Sequence, residues 1–193
     1  MIEINSMLDL KPYVRYIPAK YTNGYCSQIL FEIKNNNKLE DITINCDLEL
    51  SFETISIFNL IETFEHDVDA QDYEIKLIAN DIYAKRQLSC EIVECTSLIF
   101  DDNVSLTFLT CYGDVKGKRI VSNDILCVNL RADFASCYFI SANNVFANTF
   151  HCRGVKFTNV TFHEPNFAEG VIKDWKGVQL DKIKFQHYND IPF

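Results

Sequence analysis

A strict repeat of five residues runs from Tyr112 to about Val160. One column of the repeat is apolar and a second column, two residues later, is small. An α-helix repeats every 3.6 residues and a strand every 2, so neither explains this period. A period of five is typical of a β-solenoid, in which the chain winds through flat faces of five residues. The apolar column is Val115, Ile120, Ile125, Leu130, Ala135, Ile140, Val145, Phe150, Val155 and Val160, and the small column is Gly117, Ser122, Cys127, Ala132, Cys137, Ala142, Ala147 and Cys152.

Outside this stretch the pattern is less regular. A weaker version begins at Ala79, residues 99–111 interrupt its phase, and the small column becomes aromatic at Phe157, Phe162 and Phe167. Upstream, alternation from Ile42 to Leu50 predicts one half-buried strand with Ile42, Ile44, Cys46, Leu48 and Leu50 facing inward. The sequence therefore predicts an all-β fold, a parallel β-helix over 79–165, with an acidic β-rich cap at 1–78 and a capping segment at 166–193.

Asn, Asp and Gly recur beside the repeat, as in Gly113-Asp114-Val115 and Asn123-Asp124-Ile125. These residue types suit tight corners because they tolerate turn conformations. Ala132-Asp133-Phe134 has the order small, acidic, apolar, and so resembles the unit of the pentapeptide-repeat family. Elsewhere the apolar column follows the small one by three residues, which is more similar to degenerate G-D-I-x-A repeats of bacterial and phage proteins. The resemblance implies a coiled architecture and raises one known role of that family, acidic mimicry of duplex DNA by proteins that protect or inhibit DNA gyrase.

Length and composition predict an ordinary globular protein of one domain, or of one domain with a small appendage. Only 4 Pro and 6 Gly occur in 193 residues, and no apolar run approaches the ~18 residues of a membrane span. Met1 to Leu10 lacks the pattern of a signal peptide, so we predict a cytoplasmic protein. The eight cysteines include no C-x-x-C pair, and three stand in the small column. They are predicted to be buried thiols, with no metal site and no cofactor.

Charge is distributed unevenly along the chain. The total is −9, but residues 40–102 carry −13 and residues 111–163 carry +3. The acidic stretch is either a solvated surface that aids solubility or a surface that docks on a basic partner. For the second case, the predicted partner-binding residues are Glu62, Glu65, Asp67, Asp69, Asp72, Glu74, Asp101 and Asp102.

No catalytic constellation is present in the sequence. The four histidines lack metal-binding spacing, and His151 and Cys152 should point to opposite faces of a strand. Lys116, Lys118 and Arg119 form a basic cluster without an aromatic stacking platform, so we expect no direct binding of nucleic acid. The prediction is a protein that is not an enzyme.

We therefore predict a non-catalytic protein-interaction module. Its partner would be a basic or nucleic-acid-binding protein, with the chain acting as an acidic, DNA-mimic-like inhibitor, for example one encoded by a phage against a host or defence complex. A monomer or homodimer and no membrane association are expected. One alternative is a self-assembling structural protein of the bactofilin type, and another is an enzyme that uses a β-helix cleft.

Overall fold

The computed structural model describes residues 1–18, 26–54, 58, 73–162, 165–167, 172–175 and 184–185. Apart from one 3₁₀ helix, Met7–Tyr13, its regular elements are strands, and fourteen of them form one sheet. The strands are β1 Ile2–Ile4, β2 Val14–Ile17, β3 Ser27–Glu32, β4 Lys34–Asn35, β5 Lys38–Leu39, β6 Ile42–Ile44, β7 Leu48–Leu50, β8 Tyr73–Ile78, β9 Asp81–Ala84, β10 Leu88–Cys95, β11 Ser97–Cys111, β12 Asp114–Leu126, β13 Asn129–Phe162, β14 Pro165–Phe167, β15 Ile172–Trp175 and β16 Lys184–Phe185.

The chain winds as a β-solenoid of about five turns with parallel strands, which confirms the predicted fold class. Val115 on β12 pairs with Leu130 on β13, so one coil consists of three faces of five. Face A contains the inward pairs Leu98/Phe100, Val115/Gly117 and Leu130/Ala132; face B contains Val104/Leu106, Ile120/Ser122 and Ala135/Cys137; face C contains Leu109/Cys111, Ile125/Cys127 and Ile140/Ala142.

Both columns of the repeat point into the core. The apolar column from Val115 to Phe150 is at most 2% exposed wherever it is described, and the small column from Ser122 to Cys152 is at most 7% exposed. Gly117 is half-buried, and a Cβ there would collide with the ring and the carbonyl oxygen of Phe100 in the coil before it. A large residue in one coil thus takes up the space that a small residue leaves in the next.

Corners of different length explain the irregular stretches. Residues 99–111 do not interrupt the core: the A–B corner there has three residues, Asp101-Asp102-Asn103, opposite only Lys118 and Arg119 in the next coil. The extra residue shifts the sequence pattern, but the inward pairs continue on both sides. The same effect corrects the prediction for 42–50. That stretch is two strands, β6 and β7, joined by a corner, and Cys46 lies half-buried on the corner rather than inside.

Parallel pairing also crosses residue 79 without a break. β1 pairs with β6 and β6 with β9, each in register, so face A begins at Ile2. The three regions proposed from the sequence stay a prediction, and most of 166–193 lies outside the described residues. At the N-terminal end, antiparallel β2 lies along β3, and the 3₁₀ helix buries Leu10 completely.

Insertions in the N-terminal coils lie at the corners between faces. The hairpin of β4 and β5 occupies the C–A corner, and Asn36 and Asn37 at its tip both have positive φ, which Asn tolerates better than most residues. In the part of the chain that is described, no helix combines the length and apolar character needed to cross a membrane.

Candidate interaction surfaces

The structure does not bring the described members of the predicted acidic set together. Glu62, Glu65, Asp67, Asp69 and Asp72 lie outside the described residues. Glu74 lies on β8 near the B–C corner, where its Oε2 accepts a hydrogen bond from Gln28 Nε2 at 2.8 Å. Asp101 and Asp102 lie on the A–B corner, at a different edge of the coil. The two groups cannot belong to one flat acidic face.

The A–B corner alternates in charge from coil to coil. Lys85-Arg86 precede Asp101-Asp102 along the solenoid axis, and the next coils carry Lys118-Arg119 and then Asp133. The Tyr83 hydroxyl donates a hydrogen bond to Asp101 Oδ2 at 2.5 Å, and this bond raises the pKa of Tyr83. Asp101 and Asp102 therefore have basic neighbours on both sides, which favours a charge-balanced ridge over an acidic docking surface.

Several carboxylates at the C–A corner have a structural role. Each accepts a hydrogen bond from a polar side chain in the following coil and so links the two coils. The bonds join Asn80 to Asp41, Ser97 to Asp81 and Asn129 to Asp114, with donor–acceptor distances of 2.7, 2.8 and 2.6 Å. Part of the negative charge of the chain thus serves the stacking of its corners. The sequence signal for this role is the spacing between partners in consecutive coils, 16 residues for Asp81 and Ser97 and 15 for Asp114 and Asn129.

A cleft of about 420 Å³ opens at the B–C corner, beside the end of β7 at Leu50 and the start of β8 at Tyr73. The rings of Phe52 and Tyr73 stack there with their centroids 5.5 Å apart. Phe52 is 49% exposed. Ser89 and Ser105, outward residues of face B, lie in register along the floor.

Carboxylates border this cleft. Glu91 lines it, and its Oε2 accepts a hydrogen bond from the backbone N–H of Ile75 at 2.8 Å. Exposed Glu49 lies beside it, in register with Ser89. We call residues 62–74 the acidic segment; its described residues, Tyr73 and Glu74, begin β8, and Tyr73 lines the cleft. The cleft thus combines an aromatic wall with negative charge, a combination that attracts Lys and Arg side chains.

Most of the cysteines are core residues. Six of the eight are buried, as predicted, whereas Cys26 and Cys46 are half-buried. Burial raises the pKa of Cys127 to about 12, so its thiol stays protonated and weakly nucleophilic. Cys137 and Cys152 face inward in neighbouring coils with their sulfur atoms 3.3 Å apart. Among the described residues, no three His, Cys, Asp or Glu side chains converge as metal ligands.

His151 and Cys152 point to opposite sides of the sheet, as the strand geometry predicts. Cys152 is 2% exposed in the core, while His151 packs on the Phe134 ring outside, with ring centroids 5.4 Å apart. Burial and the nearby Arg119 lower the pKa of His151. The two side chains therefore do not form a nucleophile and base pair.

Comparison of the chain with protein-family models, with curated proteins and with solved structures gives no match.

Proposed function

We propose that this chain is a non-catalytic interaction protein that binds a basic, nucleic-acid-binding protein through its acidic segment and the adjoining cleft. The cleft between Phe52, Tyr73 and Glu91 is the observation that carries the proposal. It combines a stacked aromatic pair, of which Phe52 is exposed and Tyr73 half-buried, with a carboxylate that accepts a backbone hydrogen bond. In this proposal the chain is an inhibitor whose carboxylates occupy the surface that the partner uses to bind the phosphates of DNA.

A partner's Lys or Arg would bind the cleft in two parts. Its aliphatic stem would pack on the Phe52 and Tyr73 rings, and its cationic head would lie near Glu91. Such a contact typically contributes about 0.5–2 kcal/mol, depending on how far it is desolvated. The remaining carboxylates of the acidic segment would attract the partner over a longer range, which speeds association more than it tightens the complex.

The solenoid supports this function by holding one wall of the cleft in place. Ser89 and Glu91 belong to β10, which pairs in register with β7, β8 and β11. A site on such a strand loses little conformational freedom on binding, so more of the contact energy appears as affinity. Asp101 and Asp102 are left out of this site because their own corner is charge-balanced.

Salt and DNA competition test the proposal directly. The chain is immobilised, incubated with a cell lysate at about 50 mM salt, a concentration that leaves electrostatic attraction only weakly screened, and then eluted with duplex DNA. The expected result is a saturable set of nucleic-acid-binding proteins, identified by mass spectrometry, that duplex DNA displaces and that ~0.5 M salt releases. Retention that neither salt nor DNA changes would contradict the proposal.

Three variants separate the parts of the surface. Neutralising Glu65, Asp67, Asp69 and Asp72 to their amides should abolish capture, and Phe52→Ala should weaken it. The control, Asp101→Asn with Asp102→Asn, removes two acidic charges from the balanced ridge and should leave capture intact. Loss of capture in proportion to the number of charges removed, with no effect of Phe52→Ala, would indicate that net charge alone, rather than this site, is responsible.

The oligomeric state tests the bactofilin-like alternative. That alternative requires coils to stack end to end, yet β2 and the 3₁₀ helix cover the N-terminal end of the core. We therefore propose a monomer or homodimer. Size-exclusion chromatography with light scattering should give one discrete species, whereas filaments that grow with concentration would contradict the interaction proposal.

A further inference from the structure

Two thiols lie side by side inside the solenoid, at the same position of consecutive coils. Cys137 pairs in register with Ser122 of the coil before, and Cys152 follows it by 15 residues, the length of one coil. Both side chains face inward and are 7% and 2% exposed. Their sulfur atoms are 3.3 Å apart. Two groups that can form a covalent bond with each other are thus held in contact in the core.

The Cys137 thiol is oriented differently from the two polar side chains beside it in the small column. The Ser122 hydroxyl donates to the carbonyl oxygen of Thr107 at 3.2 Å. The Cys152 thiol donates to the carbonyl oxygen of Tyr138 at 3.6 Å. The Cys137 thiol, in contrast, donates to Cys152 Sγ. Its sulfur is therefore directed along the stack towards the next coil.

The backbone geometry of this pair is compatible with a disulfide. Residues in register on adjacent parallel strands lie about 4.8 Å apart, and disulfides join Cα atoms that are roughly 4.4–6.8 Å apart. An S–S bond of about 2.05 Å requires the two sulfur atoms, now 3.3 Å apart, to approach each other by roughly 1.3 Å. Rotation of the two side chains supplies a movement of this size while the strands stay paired.

We propose that Cys137 and Cys152 form a reversible oxidation site, at which hydrogen peroxide joins two consecutive coils through a disulfide. First, one thiolate attacks an oxygen of the peroxide: an S–O bond forms, the O–O bond breaks and one water molecule leaves. The other sulfur then displaces the oxygen of this sulfenic acid as a second water molecule, and the S–S bond forms. The thiols lose two electrons and two protons, and the peroxide takes up both. The site does not depend on the proposed function.

Burial makes the reaction slow but directs it to the disulfide. Burial and the hydrogen bond to Cys152 raise the pKa of Cys137, so its reactive thiolate is scarce at neutral pH. Hydrogen peroxide is small enough to reach the pair when a coil opens briefly. Once either thiol has been oxidised to the sulfenic acid, the other is already in contact with it and forms the disulfide before further oxidation.

The disulfide would join one coil of the stack to the next. It closes a loop of 15 residues, which is one full coil. In a solenoid each coil contacts mainly its neighbours, so a stack can open coil by coil. A covalent bond between consecutive coils requires them to open together, and oxidation therefore stabilises this part of the solenoid.

Mass spectrometry of tryptic peptides tests the site. Residues 132–153 contain no Lys or Arg before Arg153, so trypsin releases Cys137 and Cys152 on one peptide that has no other cysteine. The folded full chain is treated with hydrogen peroxide, and the remaining thiols are alkylated after denaturation. The peptide should be two hydrogen atoms lighter and carry no alkyl group, and dithiothreitol should restore both thiols. Alkylation of both cysteines, or a peptide that has gained oxygen atoms, would overturn the site.

Matched variants separate the disulfide from oxidation elsewhere in the chain. The test variant is Cys137→Ala with Cys152→Ala, which the fold should tolerate because buried Ala142 and Ala147 already occupy the small column. The control, Cys127→Ala, removes another buried thiol of this column and keeps the pair. Oxidation should raise the Tm of the wild type and of the control by about 5 °C or more, and not that of the test variant. Equal shifts in all three proteins, or an unchanged Tm in wild type whose peptide is crosslinked, would overturn the proposal.

Discussion

The coils before and after Val115 differ in their corners and not in their core. From Val115 onward, the described corners contain two residues, and the sequence repeats every five. In the coil before, Asp101-Asp102-Asn103 and Tyr112-Gly113-Asp114 are three-residue corners, although inward pairs such as Leu98/Phe100 and Leu109/Cys111 are as well buried as those that follow. The core thus tolerates a variable corner length, and the period of five is visible only where no corner has gained a residue.

The largest loss of stability is expected when one residue is deleted from a two-residue corner. Removing Asp124 would leave one residue in a two-residue corner, so the following strand must either strain or shift by one position and expose Ile125 and Cys127. We expect a loss of roughly 5 kcal/mol or more, comparable to the whole stability of a domain. Urea unfolding followed by circular dichroism measures it.

The matched deletion is Asp102, which lies in a three-residue corner. Its removal leaves two residues opposite Lys118 and Arg119, the same number that the next coil uses. We expect a loss of only about 1 kcal/mol. Similar losses for the two deletions would show that corner length does not decide the phase of the core.

A second prediction concerns the packing between Phe100 and Gly117, which joins the two kinds of coil. Phe100→Ala should destabilise the fold by about 3–5 kcal/mol through the cavity it leaves. Gly117→Ala should cost about 1–3 kcal/mol because its Cβ would collide with the Phe100 ring and carbonyl oxygen. In the double variant, Gly117→Ala should cost less than it does alone, since the ring is absent. A double-mutant cycle by urea unfolding checks this, and simple additivity would contradict it.

A third prediction uses an ion pair found in the N-terminal coils. Lys76 Nζ lies 2.5 Å from Glu94 Oε2, and the Tyr112 hydroxyl donates to Oε1 at 2.9 Å. These bonds, that of Lys76 foremost, lower the pKa of Glu94. The stabilisation is therefore full above the ordinary carboxyl pKa of about 4.3 and is lost as the pH falls through the lowered value.

Glu94→Gln should accordingly lower stability by up to about 1 kcal/mol at pH 7. The difference from the wild type should shrink as the pH falls below about 4, where the wild-type carboxylate also becomes neutral. Thermal melts of both proteins across this range measure the change. A difference that stays constant with pH would indicate that the Glu94 charge contributes nothing.

The smallest expected effect lies in the C-terminal coils, where Arg119 packs on Phe134 in place of an ion pair. Arg119→Gln should cost about 0.5 kcal/mol through loss of this cation–π contact. It should also raise the pKa of His151 towards its ordinary value, because one of the two causes that lower it would be removed. Titration of His151 by nuclear magnetic resonance checks the second effect, and an unchanged pKa would show that Arg119 does not reach His151.

The fold could be predicted because its signal is local and repeated. The columns from Val115 and Gly117 indicate which side chains face inward without any knowledge of pairing. The prediction of one strand at 42–50 is wrong because a three-residue corner preserves alternation: Cys46 falls where an inward residue would, yet it lies on a corner. Alternation of apolar and polar residues alone does not distinguish one straight strand from two strands joined by a corner with an odd number of residues.

The surfaces were harder to predict, because charges that are close in the sequence are not necessarily close in the folded chain. Asp101 and Asp102 belong to the acidic stretch in sequence, but the winding places Lys85-Arg86 and Lys118-Arg119 beside them. Likewise, Lys116 acquires Arg131 as a neighbour only once the length of a coil is known. Grouping residues by this coil length, rather than by adjacency, would have found both arrangements.

The in-register stack also fixes the distances between side chains on the surface of the molecule. Side chains of one outward column follow each other at the strand spacing of about 4.8 Å, which the backbone sets and no side chain can alter. A substitution in such a column therefore changes the side chain at one position and leaves the spacing of the column unchanged. Duplicating the stretch from Val115 to Asn129, which returns the chain to the same point of the coil, would add one coil, and so one more position to each outward column, and would preserve the other positions. The length of the solenoid and the side chains on its surface can thus be varied independently of each other.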